Sequence, residues 1–208
     1  MENSIVTGQW QDEFEALIQG MINRGFGYSD DFLDEATTAG LRRVLLKNKK
    51  EGKMQPAGFG RKLDFQQNTL VRGDMIKWIE KDSRNKYERA LLEKIEGLVH
   101  YLNQTCYAGI NDYEFHYARY EKNTFYKRHL DQFKSNKGRK YSLVIYLNED
   151  WKPINGGRLS IFLPDNSVES ISPIAGRAVF FKSDEIEHEV GPSLNRCRLS
   201  IAGWLKSM

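Results

Sequence analysis

RKYSLVIYLNEDWKPINGGRLSIFL, residues 139–163, holds two short apolar runs on either side of a turn signal. RKYSLVIYL at 139–147 and GRLSIFL at 157–163 are rich in β-branched and aromatic residues, and NGG at 155–157 marks a reversal of the chain. Runs of this length with such boundaries predict β-strands. The same texture continues outward. EFHYARY at 114–120 precedes the stretch, and SVESI at 167–171, RAVFF at 177–181 and RCRLSIAGW at 196–204 follow it, with PDN at 164–166 and PIAG at 173–176 as further turns. Several short strands punctuated in this way predict a sandwich or a barrel-like double sheet.

Upstream the hydrophobic period changes to that of helices. WQDEFEALIQGMINRG at 10–25 places Phe14, Leu17, Ile18, Met21 and Ile22 on one face, after which Gly25 and Gly27 punctuate the chain. DDFLDEATTAGLRRVLLKN at 30–48 predicts a second helix, capped by Asp30 or Asp31 and lined by Leu41, Val44 and Leu45. In KYERALLEKIEGLVHYLNQ at 86–104, Leu91, Ile95, Leu98 and Leu102 form a core-facing stripe. RGDMIKWIE at 72–80 predicts a turn leading into a strand; its flank is too apolar to present RGD as an adhesion motif. Between the second helix and that turn, residues 50–68 carry glycines and a proline and predict a long loop. Loops of this length in a compact domain are often functional.

The 208 residues suit one sizeable domain, and 40% hydrophobic with 28% charged residues supports a packed core. A net charge of +3 is too balanced to indicate nucleic acid, and the basic run at 42–53 is expected to be a solvated helix end and loop. Two cysteines, Cys106 and Cys197, make no disulfide framework and fit a reduced, cytoplasmic chain. The first residues lack the pattern of a signal peptide, and no apolar run approaches the ~20 residues of a membrane span.

Chemistry enters at YKRHLDQF, residues 126–133. On a strand, His129 and Asp131 would point to one face, as a polar pair or as two-thirds of a metal site. Two imidazoles and one carboxylate leave open positions on a catalytic iron. The chain offers three other histidines. His100 falls on the third helix near its apolar stripe, His116 lies in a strand that could line a cavity, and His188 follows a strongly apolar strand. Ten residues past His188, Arg198 shares a strand face with Ser200, Ala202 and Trp204. An inward-facing Arg implies either an internal salt bridge or a bidentate clamp on a carboxylate ligand.

HxD, a later His and an Arg ten residues beyond form an ordered constellation. With DDFL at 30–33, RGDMIKWIE at 72–80, YLNEDW at 146–151, NGGRLSIF at 155–162, HEVGP at 188–192 and RLSIAGW at 198–204, the chain resembles the Fe(II)- and 2-oxoglutarate-dependent oxygenases. Within them it is most similar to the prolyl hydroxylases related to the animal hypoxia-inducible-factor hydroxylases. The resemblance implies an α+β fold, a double-stranded β-helix (jelly-roll) core at 109–208 with helical support at 1–108 packed on one sheet. It implies Fe(II) held by His129, Asp131 and His188, and 2-oxoglutarate held by Arg198 and Tyr146, with Tyr120 and Trp204 as pocket aromatics. It places Arg72, Asp74 and Arg139 in the substrate-binding region, and the loop at 50–68 over the substrate. The implied reaction hydroxylates a prolyl residue of a protein or peptide, consuming O2 and releasing succinate and CO2, with ascorbate as a reductant. By analogy a role in oxygen sensing follows, and the enzyme is expected to be a monomer without nucleic-acid or membrane partners. Two other readings stay open: an oxygenase acting on a free amino acid or another side chain, and an idle jelly-roll that binds metal or a partner. The sequence departs from the animal enzymes in three places. The His188-to-Arg198 spacing is one residue longer, with Arg196 as a competing cation; the loop carries QPAGFGRKL; and the chain ends four residues after Trp204.

Overall fold

The computed structural model describes residues 8–58, 70–132 and 138–207. Three helices are α1 (Gln11–Arg24), α2 (Glu35–Lys50) and α3 (Lys86–Thr105). The strands are β1 (Phe26–Ser29), β2 (Gln55–Pro56), β3 (Asp74–Trp78), β4 (Asp112–Tyr120), β5 (Tyr126–His129), β6 (Arg139–Tyr146), β7 (Leu159–Phe162), β8 (Val168–Ile171), β9 (Ala178–Lys182), β10 (Glu187–Val190) and β11 (Arg198–Lys206). They form two antiparallel sheets. The larger runs β1-β9-β6-β11-β4-β3-β2 and the smaller β5-β10-β7-β8. This is the expected jelly-roll with helices on one sheet.

Alternation along the large sheet separates two cores. Phe115 and Tyr117 of β4, Leu143 and Ile145 of β6, Phe180 of β9 and Ile201 and Leu205 of β11 join the helices, meeting Phe14, Leu17, Leu41, Leu45, Leu91, Ile95, Leu98 and Leu102. The residues between them, Ala118, Tyr120, Tyr146, Val179 and Phe181, face the smaller sheet and meet Leu159, Ile161 and Val190. The helices thus brace the outside of the large sheet, and the inner faces of the two sheets are left to build the site.

Four local expectations change. The second helix is capped by Asp34, whose Oδ1 accepts from Thr37 N at 2.8 Å, because Phe32 and Leu33 are buried and hold the preceding segment away from the helix end. Ile22 is exposed: each i+4 step from Phe14 through Ile18 turns the side chain a further ~40° off the core face. Gly27 belongs to strand β1, not to a turn. A Cβ there would lie 1.9 Å from Leu17 O, so the strand can only run this close beneath α1 with glycine. The stretch expected as loop begins with the short edge strand β2, paired to β3 through Gln55–Ile76 and Pro56–Met75. Residues 59–68 of that loop lie outside the described residues.

Candidate active site

The smaller sheet sets the two histidines opposite each other. His129 of β5 and His188 of β10 are direct partners in the antiparallel register, with ring centroids 4.3 Å apart. His129 Nδ1 lies 2.7 Å from Lys127 O, and His188 Nδ1 lies 3.2 Å from Ile186 O. A carbonyl only accepts, so Nδ1 carries a proton in both rings, which leaves Nε2 as the atom available to a metal. The two Nε2 atoms converge on one carboxylate, at 3.5 Å from Asp131 Oδ1 and 3.6 Å from Asp131 Oδ2. All three ligand atoms lie within 4.8 Å of one another. Tyr126 stacks on the His129 ring at 3.5 Å and fixes its plane.

Asp131 reaches this point by a different route from the one its spacing implied. β5 ends at His129, and Asp131 sits in the bend beyond it. The bend, not the two-residue period of a strand, turns the carboxylate toward the histidines. Ser142 Oγ of β6 then donates to Asp131 Oδ2 at 2.7 Å and is itself 2.8 Å from Ser183 Oγ. Burial opposes ionisation of Asp131, but His188, His129 and the Ser142 hydroxyl outweigh it and hold its pKa well below the usual carboxylate range. Burial depresses His188 to about 4 against the pull of Asp131, which keeps the ring neutral. Two imidazoles and one ionised carboxylate, each oriented through its other polar atom, fit a ferrous ion with positions left open. Sequence reasoning missed Ser142 and Ser183, because a hydroxyl holding a ligand from another strand leaves no local pattern. Ser142→Ala should weaken Fe(II) binding about 10-fold or more, the cost of losing a partner of a metal ligand. Titration of the apo-protein with Fe(II) under anaerobic conditions checks this, and unchanged affinity would remove Ser142 from the site.

A second polar pocket surrounds Arg198. This guanidinium is 1% exposed on the inner face of β11. Its Nε donates to Gly157 O at 2.9 Å and its Nη1 to Ser200 Oγ at 3.1 Å, while its carbon sits 5.1 Å from the Tyr120 ring and 5.0 Å from the Tyr146 ring. Nη2 of Arg198 and the hydroxyl of Tyr146, both buried, have no hydrogen-bond partner among the described residues. Burial raises the Tyr146 pKa against the nearby Arg198 cation, so the phenol keeps its proton and can donate. One cation and one hydroxyl left unsatisfied together fit a carboxylate ligand. Arg196 is exposed on the outside of the fold and donates to Glu149 O at 3.0 Å.

The YLNEDW and NGG blocks build this pocket. Asn148 Oδ1 accepts from Leu199 N at 2.7 Å and its amide donates to Leu199 O at 3.0 Å, which fixes the backbone beside Arg198. Trp151 Nε1 donates to Gly156 O at 3.0 Å. Gly157 has φ +63°, and a Cβ there would stand 2.9 Å from Ser193 Oγ and 3.2 Å from Arg198 Cδ, so a side chain would press on the guanidinium.

The other expected residues lie along the rim. Arg72 makes a bidentate pair with the buried Asp74 at 2.8 and 2.7 Å and sits over the Tyr126 ring at 4.3 Å. Burial opposes the Arg72 charge, but Asp74 outweighs it and raises the pKa. Arg139 binds Glu114 Oε1 at 2.8 Å, reaches Asp131 O at 3.3 Å and packs on Trp204 at 3.3 Å. Arg198, Tyr146 and Tyr120 come together. Trp204 does not join them: six residues along β11, it is roughly 20 Å of strand away, against Arg139 and His116.

A His-Asp-His set at one sheet of a jelly-roll and the bend that follows it, opposite a buried arginine and tyrosine hydroxyl that fit a carboxylate, is the site of a non-haem iron oxygenase. Comparison with known proteins names the class more closely. The pattern of the 2OG-Fe(II) oxygenase superfamily matches residues 115–206. A crystal structure of a Pseudomonas putida prolyl-4-hydroxylase superposes with a TM-score of 0.84 at 32% identity, covering 94% of this chain and 99% of that one. A Trichoplax adhaerens prolyl hydroxylase in complex with a hypoxia inducible factor oxygen degradation domain peptide fragment superposes at 0.86 with 25% identity, covering 97% of this chain and 93% of that one. Human Egl nine homolog 1 is 29% identical over 91% of this chain and 46% of its own. The chain belongs to the 2OG-Fe(II) oxygenase superfamily, in its prolyl-hydroxylase-like branch. It spans about half the length of the curated relatives it matches.

Proposed function

We propose that the protein hydroxylates a prolyl residue in a protein or peptide, using Fe(II), 2-oxoglutarate and O2. The observation that carries this reading is the pairing of two complementary sites. Two proton-fixed histidines and Asp131 face one point, and the unsatisfied Arg198–Tyr146 pair stands on the opposing sheet. Bound Fe(II), with 2-oxoglutarate and O2, would supply the oxidative decarboxylation to succinate and CO2 and the oxidising power that turns C–H into C–OH. The protein's own part is orientation. His129, His188 and Asp131 would hold the metal and leave positions free for the cosubstrate. Arg198 and Tyr146 hold the far carboxylate of 2-oxoglutarate, and Tyr120 walls the pocket. Ser142 keeps Asp131 turned toward the histidines. Arg72, Asp74 and Arg139 shape the entrance for the substrate. Ascorbate as reductant, a monomeric state and oxygen sensing join this proposal through the family resemblance, and a cytoplasmic location joins it through the low cysteine content. The described residues contain no helix long and apolar enough to cross a membrane.

Anaerobic addition of Fe(II) and then 2-oxoglutarate to the apo-protein should produce the visible metal-to-ligand charge-transfer band of a bidentate chelate. In air, a panel of proline-containing peptides and free amino acids, read by a mass gain of one oxygen, should show turnover of peptides. Turnover of free proline alone would overturn the peptide reading, and no 2-oxoglutarate consumption with any substrate would favour an idle jelly-roll.

A further inference from the structure

Away from the metal ligands, on the helix side of the large sheet, a cleft of about 250 Å³ opens between α3, the start of β4 and Lys81 in the segment after β3. Val99 and Ile110 supply its apolar lining, and Tyr113 joins it while packing against the helix-side core. Ligand pockets commonly enclose roughly 300–1,000 Å³, so a cleft of this size suits a small metabolite. Neither the metal site nor the Arg198 clamp uses any of these residues.

Part of the polar lining is tied to the protein itself. Asn103 is held by the Ile110 backbone: its Nδ2 donates to Ile110 O at 2.8 Å and its Oδ1 accepts from Ile110 N at 2.8 Å. Asp112 binds Lys206 at 2.8 Å through Oδ2 and Lys81 through Oδ1. Burial opposes the Asp112 charge, but Lys206 and Lys81 outweigh it and hold the pKa at about 2. Two side chains keep capacity for a ligand. Glu96 Oε1 accepts from the Tyr113 hydroxyl at 2.7 Å, while its Oε2 has no partner among the described residues. His100, one helical turn on from Glu96 along α3, makes no hydrogen bond or ion pair among the described residues.

The cleft already holds a cation of the chain's own. Lys81 Nζ sits beside Asp112 and 4.4 Å from the centre of the Tyr113 ring, the geometry of a cation–π contact. Its side chain is 54% exposed, and an exposed ion pair contributes little, so a second cation can take its place. With Lys81 turned out to solvent, Asp112 and Glu96 face one neighbouring cation, Lys206, which Glu114 also engages at 3.4 Å. The charge balance then favours a cation over an anion. His100 in its uncharged form adds an acceptor, and Val99 and Ile110 favour a short hydrocarbon stem. We propose that this cleft is a binding site for a small organic cation, an alkylammonium or guanidinium compound, held by the Tyr113 ring, Glu96 and His100, with Lys81 keeping its place in the free protein.

The test is calorimetric titration of the full chain with 1,4-diaminobutane and with arginine, and with succinate as an anion of similar size. The two cations should bind one per chain and succinate should not bind. Glu96→Gln keeps an acceptor for the Tyr113 hydroxyl and removes the charge, and it should weaken binding about tenfold, the loss of one charge-assisted hydrogen bond. Lys81→Ala removes the internal competitor and should tighten binding by up to about fivefold, the worth of an exposed ion pair. Circular dichroism checks that each variant is folded. No binding of either cation to the parent, binding of succinate in their place, or undiminished binding in folded Glu96→Gln would each overturn the site. Weaker binding in Lys81→Ala would overturn it too, by making Lys81 a contact of the ligand and not its competitor. Turnover plays no part in these readouts, so the hydroxylase reading and this inference stand or fall separately.

Discussion

Asp131→Ala is expected to abolish turnover and to cut Fe(II) affinity by more than the roughly 10–100-fold that loss of a ligand's outer partner costs. Asp131 is the one carboxylate of the triad and the point on which both Nε2 atoms converge. Without it the metal faces two neutral nitrogens and no compensating charge. The fold should survive, because Ser142 keeps Ser183 as a hydrogen-bond partner at 2.8 Å and the buried charge disappears together with its desolvation cost. Circular dichroism and an anaerobic Fe(II) titration on the same sample separate the two effects. Full activity in this variant would reduce HLD to an ordinary polar pair.

Arg198→Ala should raise the KM for 2-oxoglutarate by about a hundredfold, on the order of the 3 kcal/mol attached to a buried charge pair that loses one partner. Fe(II) binding in the absence of 2-oxoglutarate should be unaffected, since Arg198 touches none of the three ligands. Thermal stability supplies an independent readout. In the protein without cosubstrate, Arg198 is a buried cation with one nitrogen unsatisfied, so Arg198→Met, which retains the packing, should melt no lower than the parent. Unchanged 2-oxoglutarate affinity would remove Arg198 from the clamp. Arg196 would then be next to test, although it lies exposed against the Glu149 carbonyl.

Much of the fold was legible because it follows from period. Alternation along RKYSLVIYL and RLSIAGW assigns residues to two faces, and the structure puts Leu143, Ile145, Ile201 and Leu205 under the helices and Tyr146 and Arg198 on the inside. The Leu91, Ile95, Leu98 and Leu102 stripe is fully buried. Helix starts and short edge strands were less legible. Asp30 and Asp31 are the caps the sequence suggests, and only the burial of Phe32 and Leu33 moves the helix start to Asp34; Gly27 looks like a breaker until α1 packs on it.

The site divides in the same way. Residue type and order, read together with the family resemblance, singled out two histidines, an aspartate and a later arginine as able to serve iron and a dicarboxylate. The tertiary structure decided how they meet. It carried Asp131 past the end of its strand, held it from Ser142, buried Arg198 while leaving Arg196 outside, and set Trp204 beside His116 at a distance from the clamp. The reason is physical. Periodicity reports which face a side chain occupies on its own element, whereas register between strands and hydrogen bonds across them join residues far apart in the chain, and local sequence carries no record of those partners.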